Sequence, residues 1–208
     1  MLARMRHAWQ KKQVDPRWNT LFEEIPDEVV SLDCETTSLN VREAELLSIG
    51  AVRIRRGRIL ASESLYLLVR PEHLPAPGSV VVHGLRPSDL SDGLAPADAV
   101  SRLLDFIGGR ALVGYYLEYD VAVLNKYVKP LTGITLPQRQ IEVSGLYYDW
   151  RLKQTPDGYV DLRLEEILKT LDLPRMGRHD ALTDAVTAGM ILLAMRARGH
   201  HEIGRAHV

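Results

Sequence analysis

The stretch Val29-Val30-Ser31-Leu32-Asp33-Cys34-Glu35 sets a largely apolar run directly against two carboxylates. An apolar run of this length reads as a buried strand, and the acidic pair marks the polar mouth at its C-terminal end. Side chains two apart on a strand share a face, so Asp33 and Glu35 point the same way. Carboxylates held together repel unless a proton or a cation lies between them. A divalent metal is the natural occupant, and oxygen-only ligands favour a hard ion, Mg²⁺ or Mn²⁺, over zinc. Cys34 falls on the opposite face, where a small apolar packing role is expected.

Two later segments carry matching chemistry. Residues 111–115 read as a short strand, and Asp120 opens a helical stretch whose apolar positions Val121, Leu124, Tyr127 and Val128 keep helical spacing. An aspartate at a helix start is more often a cap than a ligand, so only the company it keeps promotes Asp120. Further on, His179 stands in a Gly-Arg-His loop, followed by Asp180 as N-cap and a helix over 181–198. Asp184 lies in that helix's first turns, where the positive end of the dipole favours a carboxylate. A lone histidine before a helix is ordinarily solvent-facing or structural. Four carboxylates and one histidine in three segments point instead to a nuclease.

The rest of the chain supplies a scaffold for such a site. Residues 46–54 and 59–69 read as two strands joined by the turn Arg56-Gly57-Arg58, an antiparallel hairpin. A Pro-rich loop over 71–77 leads to His83, and a helix over 96–107 stops at Gly108-Gly109. After the Asp120 helix come a loop through Pro130 and Pro137 and helices around 143–150 and 162–171. In the final helix Ala185, Ala188 and Gly189 make a small-residue face for close packing. The expected fold is α/β: a mixed β-sheet, antiparallel in its early strands and then parallel, flanked by α-helices, with the site at strand ends.

Three regions are expected: an N-terminal helical appendage, 1–26; the main domain, 27–199; and a tail, 200–208. The appendage mixes Arg4, Arg6, Lys11, Lys12 and Arg17 with Trp9 and Trp18, and reads as a helix packed on the back of the domain or as a basic docking segment. The tail histidines His200, His201 and His207 are given no catalytic role. A formal net charge of −1 over 208 residues excludes a global basic field, which suits an enzyme gripping a few nucleotides rather than a coating protein. One cysteine excludes an internal disulfide and agrees with a reducing cytoplasm. No apolar stretch is long enough to span a bilayer, and the N-terminus lacks a signal-peptide core.

Taken together, Asp-Cys-Glu-Thr-Thr-Ser-Leu at 33–39, Tyr-Tyr-Leu-Glu-Tyr-Asp at 115–120 and His-Asp-Ala-Leu-Thr-Asp at 179–184 resemble the three motifs of the DEDDh 3′-to-5′ exonucleases, and Val-Val-His-Gly-Leu at 81–85 adds that family's His-Gly element. The family has a ribonuclease H-like fold and includes proofreading epsilon subunits of bacterial DNA polymerase III. Three departures stand out: Ser38 where glycine is usual, Tyr115-Tyr116 for His-Asn, and Tyr119 for phenylalanine. None removes a carboxylate.

The resemblance implies two divalent ions, Mg²⁺ or Mn²⁺, roughly 4 Å apart at the scissile phosphate. Asp33 would bridge both, Glu35 and Asp184 would complete the first, and Asp120 would support the second. His179 would be the general base, with Glu35 sharing the catalytic centre. Thr36 and Thr37 would engage the 3′-terminal nucleotide and Leu39 would wedge against its base. His83 is divided evenly between a nucleotide contact and a turn residue. Arg178 would meet phosphates, while Arg175 reads as a solvated loop charge. The implied substrate is a single-stranded or frayed nucleic acid 3′ end, with DNA favoured over RNA. An exoribonuclease and a polymerase-associated binding module are the alternatives, and association with a DNA polymerase stays open.

Overall fold

A computed structural model describes residues 9–73, 75, 80, 83–156, 158–177 and 180–200. The strands are β1 (Glu28–Thr36), β2 (Leu46–Arg55), β3 (Arg58–Leu68), β4 (Ala111–Gly114) and β5 (Gln140–Glu142). The principal helices are α1 (Pro96–Ile107), α2 (Leu117–Thr132), α3 (Val143–Gln154), α4 (Leu164–Leu171) and α5 (Ala181–Ala197). The sheet order is β3-β2-β1-β4-β5. The first three strands pair antiparallel, and β4 joins β1, and β5 joins β4, in parallel. This is the expected mixed sheet, with helices on both faces.

The period of two along β1 separates two cores. Val30, Leu32 and Cys34 face a cluster built with α1 and α2, including Leu103, Leu104, Leu117 and Leu124. Val29 faces the opposite cluster, built with Tyr147 of α3, Ile167 of α4 and Ile191 of α5. Asp33 and Glu35 fall in the same alternation as Val29, so they emerge on the α5 face. Cys34 is buried and free on the other, in the packing role expected of it.

Close packing of α5 depends on its small residues. A Cβ at Gly189 would lie 2.9 Å from Ile54 Cδ1, so a larger residue there would make that side chain end give way as the helix packs on β2. Before β1, the helical turn Pro16–Phe22 buries Trp18, Leu21 and Phe22 in the α1–α2 cluster, whereas Trp9 is 58% exposed. The Gln138 amide donates to the carbonyls of Leu21 (3.3 Å) and Gly108 (2.7 Å), tying that turn to the end of α1.

The short strand β5 was not expected, α3 runs on to Gln154, and two further differences concern α2. Helix α2 begins at Leu117, three residues before Asp120, because the Glu142 carboxylate accepts the otherwise unpaired N–H groups of Tyr116 (3.1 Å) and Leu117 (2.9 Å). Pro130, expected in a loop, lies in the last turn of α2, and the helix ends at Gly133 in the left-handed conformation (φ 78°). Residues 1–8 and 201–208, His179, Arg178 and part of the 71–77 loop lie outside the described residues. None of the described helices is long and apolar enough to cross a membrane.

Candidate active site

Three of the four expected carboxylates meet. Asp33, Glu35 and Asp184 each present an oxygen within 4.8 Å of the others, all on partly exposed side chains. Strand β1 supplies the first two, and the first turn of α5 supplies the third. What brings α5 there is Gly50, directly opposite Asp33 in the β1–β2 register. A Cβ on Gly50 would sit 2.1 Å from the carbonyl carbon of Ala181 and 2.2 Å from the Leu182 nitrogen. The start of α5 rests on β2 where any side chain would stand, and Asp184 is carried over Asp33.

Asp120 approaches from the other side. Strand β4 pairs with β1 only as far as Ser31, and among the described residues the rest of that edge has no strand partner. The Asp120 carboxylate takes up this role, accepting the Cys34 N–H at 3.2 Å from a buried position. It is therefore not the cap of its helix. The N-cap is Tyr116, whose backbone is left-handed (φ 56°) and makes no side-chain cap.

The carboxylates act on one another. Burial raises the Asp33 carboxyl well above its usual range, and Asp120, Asp184, Glu35 and Asp180 raise it further. Glu35 is pushed up to about 7 by burial and by Asp184 and Asp180. Burial also raises Asp120, assisted by Glu142 and Glu35 and opposed by the Cys34 N–H. Repulsion of this kind is what a divalent cation would relieve, and the all-oxygen donor set suits one.

Sequence reasoning missed three contributors. Asp180 was read only as an N-cap; it does accept the Thr183 N–H at 3.0 Å, and its charge also bears on Asp33 and Glu35. Glu142 caps α2 and, through the Ser144 N–H at 3.1 Å, α3 as well. Gly50 had a readable signal, since an isolated glycine inside a strand pattern often marks a close backbone approach.

Of the expected substrate contacts, Leu39 is 90% exposed on the loop after β1. The hydroxyls of Thr36 and Thr37 are both engaged within the protein, the first 2.6 Å from Tyr119 Oη and the second accepting the Glu45 N–H at 3.0 Å. His83 is buried, and its Nδ1 accepts the Leu85 N–H at 3.1 Å, which puts the ring proton on Nε2. That Nε2 has no hydrogen-bond partner among the described residues, and burial lowers the ring's pKa, keeping it neutral. His179 and Arg178 lie outside the described residues. Arg175 pairs with Glu165 at 2.8 Å.

This geometry agrees with what the chain resembles. The RNase T exonuclease family model matches residues 30–192. The epsilon subunit of DNA polymerase III from Aquifex aeolicus is 25% identical over 164 residues, 79% of this chain and 78% of that protein. A PolC-type DNA polymerase III from Thermotoga petrophila is 23% identical over 79% of this chain, which spans only 11% of that protein. Among solved structures, E. coli exonuclease I in complex with a dA16 oligonucleotide superposes with a TM-score of 0.70 at 17% identity, over 83% of this chain and 41% of that one. The chain belongs to the exonuclease family, with the ribonuclease H-like fold. Within that family it falls in the 3′-to-5′ exonuclease class of enzymes.

Proposed function

We propose that residues 27–199 form a metal-dependent exonuclease that hydrolyses phosphodiester bonds at DNA 3′ ends. The observation that carries this reading is the meeting of Asp33, Glu35 and Asp184 within 4.8 Å, close enough that Asp184 helps to raise the pKa of both of the others. These three would hold one divalent ion, and Asp33 with Asp120 would serve a second; Mg²⁺ or Mn²⁺ suits the oxygen donors. When bound, such ions supply charge stabilisation at the scissile phosphate and lower the pKa of the attacking water. The chain's own part is to orient the phosphate and move the proton. His179 is assigned as general base, the role an imidazole suits, and its sequence neighbour Asp180 bears on the cluster. Leu39 offers an apolar edge to the base of the terminal nucleotide, and His83, whose Nε2 is itself buried, is assigned to the same nucleotide. Arg178 is assigned to phosphate contact.

DNA is favoured because the similar proteins include DNA polymerase III subunits and an exonuclease solved on a dA16 oligonucleotide. The same relatives support work beside a DNA polymerase, in proofreading, repair or end trimming. A single buried cysteine suits a reducing cytoplasm. The test compares DNA and RNA oligonucleotides of one sequence, with His179→Ala beside the unsubstituted protein. DNA should be shortened faster, and the variant should bind oligonucleotide and metal normally while turnover falls at least about a hundredfold. Faster loss of RNA would reverse the substrate assignment, and near-normal turnover in the variant would remove the base.

A further inference from the structure

Leu39 poses a physical question: a leucine left 90% exposed is ordinarily on a loose surface loop, yet its loop is held at many points. At the base of the loop, Thr37 N–H donates to the Glu45 carbonyl and Glu45 N–H to Thr37 Oγ1, both at 3.0 Å. Within it, the Ser38 hydroxyl accepts the Asn40 N–H at 3.1 Å, and the Asn40 carbonyl accepts the N–H groups of Glu43 (2.9 Å) and Ala44 (2.8 Å).

The outer anchors both come from one face of α2. Tyr119 and Lys126 are seven residues apart, two helical turns, and so project in the same direction. The Tyr119 hydroxyl donates to the Ser38 carbonyl and lies 2.6 Å from the Thr36 hydroxyl. The Lys126 ammonium donates to the carbonyls of Val41 (3.0 Å), Arg42 (3.1 Å) and Ala44 (2.6 Å), which uses all three of its hydrogens. Ser38 and Tyr119, two of the departures from the family pattern, therefore meet in one contact. Phenylalanine at 119 would have no hydroxyl to make it, and glycine at 38 would lack the bond to Asn40.

We infer that Tyr119 and Lys126 are positioning residues that clamp residues 36–44, so that Leu39 is presented as a preformed wedge to the 3′-terminal nucleotide. Rigidity is the benefit: a loop ordered before binding loses less conformational freedom when the nucleotide arrives. Lys126 is a basic residue beside a nucleic-acid site, yet its role here is to hold carbonyls rather than phosphate. The nucleotide part of this inference rests on the 3′-end reading proposed above; the clamp itself does not.

Tyr119→Phe and Lys126→Met, singly and together, test it in the full chain, with melting curves to establish that each variant is folded. In the free protein, amide hydrogen exchange over residues 37–45 should quicken in both variants. With single-stranded DNA, KM should rise roughly three- to tenfold per variant, the scale of one lost hydrogen bond, while kcat moves less than about twofold. The dependence of KM on salt should keep its slope in Lys126→Met, because no phosphate contact has been removed. Unchanged exchange would overturn the clamp, whether or not the protein shortens DNA. Faster exchange with unchanged KM would overturn the wedge, and a shallower salt slope in Lys126→Met would make that lysine a phosphate ligand instead. If the unsubstituted protein shortened no nucleic acid, the wedge would fall with the 3′-end reading, while faster exchange would still uphold the clamp.

Discussion

Asp33 and Glu35 are kept in a state that costs the metal-free fold stability. Burial and the neighbouring carboxylates push the Glu35 carboxyl up to about 7 from an ordinary 4.5, and Asp33 is displaced in the same direction. A raised folded-state pKa means the folded protein binds the proton more tightly than the unfolded chain does. Its stabilising contribution is complete below the unfolded value and is lost as pH rises through the folded one. In EDTA, the melting temperature should therefore fall between about pH 4.5 and pH 7, and added Mg²⁺ should raise it more at pH 8 than at pH 5. Asp33→Asn should flatten that fall while abolishing turnover. A melting temperature that rose with pH in EDTA would contradict the assignment. Asp33, Glu35 and Asp184 were legible from strand alternation and motif spacing, because those are local rules. Asp180 was not, since its capping role satisfied the pattern and hid its second neighbourhood.

The placement of α5 on β2 decides whether those side chains meet. Gly50→Ala would drive a methyl group into the backbone of Ala181 and Leu182, so the start of α5 must move and take Asp184 with it. The expected cost is about 1–3 kcal/mol of stability, with turnover falling more than about tenfold. Melting curves and oligonucleotide kinetics on the purified variant would check both, and full activity at an unchanged melting temperature would sink the idea. Most elements were readable: the hairpin of β2 and β3, the α1 span and the start of α5 follow from periodicity, turn residues and caps. The start of α2 was not, because its cap is Glu142, a residue 25 positions away in sequence from Leu117. Pro130 misled for a related reason, since the pattern does not say whether a proline ends a helix or sits in its last turn.

For the whole molecule, the class of fold was legible and the strand order was not, because which strands pair depends on contacts between distant segments. The order β3-β2-β1-β4-β5 places β1 at the centre, with antiparallel pairing on one side of it and parallel pairing on the other. Its acidic end is thereby reached by α5 across one face and by α2 around the unpaired edge. With a formal net charge of −1, the molecule has no global basic field to draw in a polyanion. The decisive measurement follows 5′-labelled single-stranded DNA over time with Mg²⁺, with Mn²⁺ and with EDTA, beside Asp33→Ala. A ladder shortening stepwise from the 3′ end, present with either metal and absent with EDTA or in the variant, is the predicted result. Shortening that persisted in Asp33→Ala, or intact DNA and RNA with folded, metal-supplied protein, would contradict the proposal that these carboxylates form a 3′-end hydrolase.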